Sequence, residues 1–404
     1  MRRSQYFIWL CIFITGMTLV VFCIIITTRK SLGIVVALFE EASRAIFYRP
    51  MVLLQPVYTL TCIALASAYY LAATVYLFSV RKVVIDDDSF VFYYEDDQFP
   101  DGRLFAALFF CGLWTVEFLQ SCEKVVISDV IGNWYFSSED ERDDFHLCPT
   151  WDATYRLVLY HLGSVACGSL LSAIVQFVRW IITFIQYQLK DAENPALEFL
   201  FKCLQCCLGM LQKLVDWVSK NAYISVALFG DSFCRGAQRS LSLLVENSKH
   251  TAVLVFVCKA LLTLCKVFTM MLTTFGVYYY FEVYAKDADK DDQASKVGLF
   301  VPLTMCFFVS WMISKNILEV FELCIETMLI CFCYDQRNNN GHDRPYYSSV
   351  KLIKLMRDKE RFFSRRPPAG DGDDDSKAAS NAPDEKSQHT EVIEVSEKPQ
   401  EPED

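Results

Sequence analysis

The side chains of this sequence with the clearest chemical potential are acids and tryptophans that lie inside long apolar segments. An ionisable side chain surrounded by lipid is costly, so it marks a functional-site hypothesis by default. A carboxylate beside an aromatic ring suits a cation, because the carboxylate and the face of the ring both attract positive charge. The candidate residues for binding such a cation are Trp114, Glu117, Trp311, Glu319, Glu322 and Glu326.

A plainer interpretation exists for both groups of acids. Positions 319, 322 and 326 fall on one helix face, and that stretch could already lie beyond the bilayer, because the helix from Val301 to Glu319 alone extends about 27 Å. These acids would then be solvated at the cytosolic surface. Glu117 could pair with a basic group, and Lys259 and Lys266, on one face of a later segment, are possible partners or side chains that extend to the interface.

Other residue patterns do not predict an enzyme or a metal protein. Cys203, Cys206 and Cys207 lie close together, but tetrahedral zinc needs a second pair of ligands, and none follows in the sequence. Burial or palmitoylation near the membrane explains these cysteines more simply. No Ser-His-Asp spacing, P-loop or nucleotide fingerprint stands out, so we predict no catalytic residue, metal or cofactor. The net charge of −10 comes largely from the C-terminal tail and predicts no nucleic-acid partner.

The elements that position the candidate acids are predicted to be transmembrane helices. Apolar residues make up 53% of the chain, and the charged 21% are concentrated in connections and in the tail. A bilayer core needs about 20 apolar residues in a helix, which must pair its own backbone groups. The predicted spans are 6–27, 52–80, 104–126, 157–185, 251–281 and 297–334, with a weaker span at 199–218. We therefore predict an all-α polytopic bundle of about seven spans within residues 1–350.

Charged connections predict the orientation of this bundle. The connection 28–50 and the stem 351–366 are rich in Lys and Arg, which places both in the cytosol. The connections 86–101 and 282–292 are acidic and fit the outside. The chain is then cytosolic near residues 140 and 249, so 199–218 must cross the bilayer unless 157–185 is re-entrant.

Two segments are predicted not to cross the membrane. Residues 31–48 have apolar positions at helical spacing, typical of an amphipathic helix lying at the cytosolic interface. Residues 367–404 are acidic and rich in Pro and Ser, with too few apolar side chains to offset the entropy of ordering. They are predicted to be a disordered tail.

Three stretches resemble the choline transporter-like family, and they occur in the family's order. Residues 200–234 contain a Cys-rich run and a Phe-Cys pair, 326–347 lead from the last span into Arg-Pro-Tyr, and 29–56 end on Gln-Pro. Family-motif residues in the first two stretches are Asn221, Ala222, Tyr223, Phe233, Cys234, Asp335, Gly341, Arg344, Pro345 and Tyr346.

The resemblance implies a transporter of choline or a related small organic cation, multi-pass in the plasma membrane, with a cytosolic C terminus. Family members look like ten-helix proteins whose first helix precedes a large glycosylated extracellular loop. This chain resembles their last seven helices, and nothing in it matches that loop. The alternative is a truncated, non-transporting membrane partner or regulatory subunit of a full-length member.

Overall fold

The computed structural model of the 404-residue chain covers most of the predicted helices. It describes residues 33–79, 82–85, 92–95, 102–138, 148–189, 195–246, 248–281 and 294–339, together with 15, 16, 18, 19, 22 and 347. The predicted span 6–27 falls almost entirely outside the described residues. The stem 351–366, the tail 367–404 and the motif residues Gly341, Arg344, Pro345 and Tyr346 fall wholly outside them, so these parts remain predictions.

The described chain is almost entirely helical. In order, its helices are α1 (33–48), α2 (Gln55–Ser79), α3 (Gly102–Phe136), α4 (Pro149–Arg156), α5 (Leu162–Gln188), α6 (Pro195–Phe229), α7 (Phe233–Glu246), α8 (Ser248–Tyr280) and α9 (Ala294–Asn338). A 3-10 turn, Pro50–Leu54, precedes α2. A π-helical turn, Leu157–His161, joins α4 to α5.

One hairpin departs from the predicted all-α fold. Strands β1 (Lys82–Ile85) and β2 (Phe92–Glu95) pair antiparallel, with Lys82 opposite Glu95. Both strands are rich in β-branched or aromatic residues, which favour a pleated conformation. The sequence predicted only an acidic connection at 86–101, which contains β2, and predicted no strand at either position.

Four of the predicted spans correspond to helices long and apolar enough to cross a membrane. These segments are Pro50–Ser79, Gly102–Phe136, Pro149–Gln188 and Val253–Tyr280. Helices α6 and α9 contain the other two described predictions, 199–218 and 297–334, but charged residues interrupt their apolar stretches. A polytopic helical membrane fold is therefore confirmed, whereas a count of seven spans is not established.

Burial is concentrated at one end of the helices. In α3, Ser121 is the first of a series of buried residues that continues to Tyr135, and in α9 the buried series begins at Val320. The preceding halves of both helices expose large apolar side chains such as Phe105 and Phe308. Exposed apolar side chains on this scale are expected where lipid, or further protein, replaces water.

Helix α1 has the predicted amphipathic pattern, and the structure shows where its apolar face lies. The face is buried from Ile34 to Ile46 and belongs to the same apolar cluster as the buried parts of α3 and α9. Glu40 and Arg44 lie on the exposed side. The helix therefore packs its apolar face against protein.

Gly168 of α5 allows α6 and α7 to approach that helix closely. A Cβ atom at this position would overlap with the ring of Phe233 and the hydroxyl of Tyr223. We expect Gly168→Ala to lower the free energy of unfolding by about 1–3 kcal/mol, because a packed core resists an added methyl group. Denaturation in detergent micelles measures this change. Gly163→Ala is the matched control, since nothing lies within 4 Å of its added Cβ, and equal effects of both changes would contradict the packing argument.

Candidate functional site

Two lysines and two glutamates form a network of ion pairs where α6, α8 and α9 meet. Lys220 Nζ lies 3.0 Å from Glu322 Oε1 and 2.6 Å from Glu326 Oε2. Lys259 Nζ lies 3.3 Å from Glu322 Oε1 and 3.2 Å from Glu326 Oε1. The side chains of Glu322 and Glu326 are only 19% and 9% exposed. We call these four residues the charge network.

The network follows from the spacing of its acids on α9. Residues four apart lie on one helix face, so Glu322 and Glu326 present both carboxylates in the same direction. Each lysine can therefore contact both acids, and the four charges sum to zero. The network lies where the buried part of α9 begins, since Val320 and Leu323 are buried. These two glutamates are thus paired rather than solvated, in contrast to the plainer interpretation of the sequence.

A polar cavity of about 360 Å³ lies beside the charge network, and we call it the central cavity. Its wall contains acids, bases, one amide and one indole, namely Glu117, Gln120, Lys124, Lys213, Asp216, Trp217, Lys220, Lys259 and Glu319. A smaller cavity of about 100 Å³ shares Gln120, Lys124 and Glu319 with it. The central cavity has the size expected of a site for a small molecule.

Helix α6 provides the largest part of this wall. Asp216 and Trp217 lie three and four residues after Lys213, and Lys220 lies four and three residues after them, which places all four on one helix face. Helix α3 contributes Glu117, Gln120 and Lys124. The half-buried Glu117 accepts a hydrogen bond from Gln176 Nε2 of α5, which holds its side chain in place.

The structure brings four of the six predicted site residues together. Glu117 and Glu319 line the central cavity, and Glu322 and Glu326 belong to the adjacent charge network. The two predicted tryptophans lie elsewhere. Trp114 Nε1 donates a hydrogen bond to Ser169 Oγ of α5 at 3.2 Å, and Trp311 is 48% exposed.

The prediction missed Trp217, the aromatic residue that does line the cavity. It also missed Lys220, and it named Lys259 only as a possible partner or an interfacial side chain. A signal for both missed residues was present, because the charges of 199–218 recur at helical spacing and continue to Lys220. Because these charges lower the hydropathy of the segment, the sequence predicted a weak transmembrane span there. Its contribution to the wall of the cavity was not predicted.

The family-motif residues in the described chain are largely structural. Asn221 Nδ2 donates to the carbonyl oxygen of Trp217 at 2.8 Å, while Ala222 and Tyr223 are buried. The ring of Tyr223 packs on Phe233 with centroids 5.7 Å apart, and Cys234 is exposed. None of these residues lines the central cavity.

Asp335 is a fully buried acid at the far end of α9. Its carboxylate accepts hydrogen bonds from the Tyr135 hydroxyl at 3.4 Å, from Asn339 Nδ2 at 2.7 Å and from the backbone N–H of Tyr347 at 3.0 Å. The acid therefore ties the end of α3 and the backbone at Tyr347 to α9. Buried carboxylates with several donors of this kind stabilise a fold.

No group of three or more His, Cys, Asp or Glu side chains is arranged to hold a metal ion in the described part of the chain. Cys203, Cys206 and Cys207 are exposed on α6. The central cavity offers electrostatic and aromatic contacts through carboxylates, ammonium groups and Trp217.

Comparison with known proteins identifies curated relatives of this chain. Choline transporter-like protein 2 of Dictyostelium discoideum is 31% identical over 84% of this chain and 52% of its own length. Choline transporter-like protein 5 of Xenopus tropicalis is 29% identical over 88% of this chain and 54% of its own. The human choline transporter-like protein 2 is 29% identical over 86% and 54%.

The chain thus spans about half the length of the curated relatives it matches. The sequence model described as plasma-membrane choline transporter matches residues 12–337, which include all the residues of the central cavity and of the charge network. The match covers well over half of the chain and confirms the resemblance seen in the motif residues. This multi-pass membrane protein belongs to the plasma-membrane choline transporter family.

Proposed function

We propose that this chain forms the helical bundle of a transporter for choline or a related small organic cation, and that the central cavity binds the cation. The observation that carries this proposal is the presence of three carboxylates and an indole in one cavity: Glu117, Asp216, Glu319 and Trp217. The names of the relatives support the choice of choline as the first compound to test.

The chemistry of the cavity fits a quaternary ammonium. In the described chain, none of its three carboxylates has a Lys or Arg nitrogen within ion-pairing distance, whereas the acids of the charge network are fully paired. A cation can therefore bind near them without displacing a lysine. The face of Trp217 adds a cation–π contact of about 0.5–2 kcal/mol.

The proposal includes a membrane topology. Helices α6 and α9 would cross the bilayer in addition to the four apolar segments, and span 6–27 would complete the set of about seven. The stem 351–366 and the C terminus would lie in the cytosol, and the membrane would be the plasma membrane. In this orientation the buried ends of α3 and α9 face the cytosol, and the central cavity lies nearer the outside.

This arrangement favours alternating access or facilitated diffusion without nucleotide hydrolysis. A cation in the central cavity would meet the charge network and the buried core on its way to the cytosol. Passage therefore requires the packed ends of the helices to rearrange.

A second candidate function is a non-transporting membrane partner or regulatory subunit of a full-length family member. The observation in its favour is that the relatives are about twice as long as the matched part of this chain. Such a partner would keep the helical bundle but would transport nothing alone.

Uptake of labelled choline into liposomes that contain the purified chain tests the first function. We expect uptake that exceeds the uptake of empty liposomes and that an excess of unlabelled choline abolishes. Equal uptake by both kinds of liposome would contradict transport by this chain. Co-purification with a full-length relative would then support the second function.

A further inference from the structure

A seam of polar side chains joins α5 to α6. Arg179 Nη1 donates a hydrogen bond to Gln212 Oε1 at 2.7 Å, and Gln205 Nε2 donates to Gln186 Oε1 at 2.6 Å. The residue numbers rise along one helix as they fall along the other, so the two helices are antiparallel. We call this line of facing residues the polar seam.

The polar seam passes the central cavity at two of its carboxylates. Gln176 of α5 donates a hydrogen bond to Glu117 Oε1, and Asp216 of α6 lies four residues beyond Gln212 on the same helix face. Glu117 and Asp216 both line the central cavity. They are also close enough to interact electrostatically, so the seam and the cavity meet where negative charge is concentrated.

Beyond the cavity, the face of α6 that forms the polar seam continues with Ser219 and Tyr223. These residues follow Asp216 at spacings of three and four, in the direction of the buried end of the bundle. The side chain of Tyr223 reaches α5, because a Cβ atom at Gly168 would overlap with its hydroxyl. The seam therefore extends past the carboxylates into the buried part of the bundle.

The hydroxyl groups of Ser219 and Tyr223 have no hydrogen-bond partner among the described residues. The two residues are only 3% and 1% exposed, so bulk water does not reach them. Ser121 of α3, one turn beyond Glu117, lies beside the Tyr223 hydroxyl without a hydrogen bond of ordinary geometry. Buried hydroxyl groups are costly when they are left unpaired, and they normally bind a protein group, an ordered water or a ligand.

We propose that Ser219 and Tyr223 form an inner position that binds the hydroxyl group of the substrate, a hydroxyalkyl ammonium compound such as choline. Ser219 lies one turn, about 5 Å, beyond Asp216, and the Tyr223 hydroxyl lies close enough to Glu117 to interact with it. A substrate whose ammonium lies beside the carboxylates thus places a hydroxyl group two carbons away at the inner position. The proposal rests on the transport function proposed above, because it concerns the substrate of the same bundle.

In the proposed topology, the inner position lies between the central cavity and the cytosol. A substrate that moves inward leaves the carboxylates and meets these two hydroxyl groups first. Tyr223 is the main specificity-determining residue, since its phenol can both donate and accept a hydrogen bond. Its ring is held against Phe233 with centroids 5.7 Å apart, which fixes where the hydroxyl lies.

Competition binding to the purified full chain in lipid nanodiscs tests this proposal. The probes are choline and propyltrimethylammonium, in which a methyl group replaces the hydroxyl group of choline. We expect choline to bind about tenfold more tightly, because a site with unpaired polar groups discriminates against an analogue that lacks the hydroxyl group. Tyr223→Phe and Ser219→Ala should each lower this preference about threefold and leave the affinity for propyltrimethylammonium unchanged.

Ser225→Ala is the matched control. Ser225 is also a buried serine of α6 whose hydroxyl group has no partner in the described chain. It lies against Gly236 of α7 instead of α5, away from the polar seam. This variant should keep the full preference for choline, so it separates the inner position from the general effect of removing a buried hydroxyl group.

The possible outcomes distinguish this proposal from the transport function. Equal affinity of the unmodified chain for both probes would overturn the inner position and leave transport of a cation standing, even where a variant does not fold. A preference for choline that survives in both Tyr223→Phe and Ser219→Ala would also overturn it, because these hydroxyl groups would then bind internal water only. Failure of both probes to bind would overturn this proposal and the transport function together.

Discussion

The variant Lys220→Met is expected to lower the free energy of unfolding by about 3–5 kcal/mol, the effect of removing one partner from a buried ion pair. The Lys220 side chain is 17% exposed and contacts both Glu322 and Glu326. Methionine fills a similar volume but carries no charge. Two carboxylates would then share Lys259 alone, and one negative charge would remain uncompensated at the edge of the core.

A second change should restore the charge balance. In Lys220→Met with Glu326→Gln, one lysine faces one glutamate, so the network again sums to zero. We expect this double variant to regain at least half of the lost stability, since replacing both partners of a buried pair is far less harmful than removing one. Titration with a denaturing detergent, followed by tryptophan fluorescence, gives the free energy of unfolding of each variant.

The control for this experiment is another lysine of α6. Lys202 also pairs with a glutamate, but both side chains are largely exposed, and exposed pairs contribute little. Lys202→Met should leave the unfolding curve unchanged. A Lys220→Met variant as stable as the unmodified chain would show that the network does not hold the helices together, and a double variant without any recovery would assign the loss to packing instead.

The site shows what the sequence could and could not predict. Glu117, Glu319, Glu322 and Glu326 were predicted as site residues because an acid inside an apolar segment is exceptional, and the structure brings these four together. Their partners could not be predicted in the same way, since Lys220 and Glu322 lie 102 positions apart. Only the packing of α6 and α8 against α9 brings the two lysines to the acids.

The tryptophans show the limit of arguments from local spacing. Trp114 is three residues from Glu117, which suggests a shared site, yet its indole reaches Ser169 on the neighbouring helix. Trp217 was not predicted as a site residue, because it lies in a segment of low hydropathy. Lys213 and Asp216 lower the mean hydropathy of that segment, and the same two residues line the central cavity together with Trp217.

The elements were easier to predict than their extents. Helix α3 was expected to end near residue 126, but it continues to Phe136. Its last turns are stabilised by buried contacts, including those of Trp134 and Tyr135, which belong to the core between the helices. Hydropathy predicts which part of a helix is apolar enough to cross the bilayer, whereas tertiary packing determines where the helix ends.

The variant Glu117→Gln is expected to lower choline uptake about tenfold to a hundredfold. Two unit charges 4 Å apart interact by about 4 kcal/mol at an effective dielectric constant of 20, and part of this is offset by desolvation, so a loss of one to two powers of ten is expected. Glutamine preserves the volume of Glu117 and can still accept the hydrogen bond from Gln176. The fold should therefore be unchanged while the negative charge of the cavity is reduced.

Initial rates of labelled choline uptake into liposomes measure this effect, with the amount of reconstituted protein determined for each variant. Glu198→Gln is the matched control, since Glu198 lies on α6 with a side chain 63% exposed and does not line the central cavity. A selective loss in Glu117→Gln would place the cation in the central cavity, because the two variants remove the same charge and differ only in where it lies. Equal uptake by Glu117→Gln and the unmodified chain would exclude Glu117 as a ligand of the cation, and the site would then have to be sought among Asp216, Glu319 and Trp217.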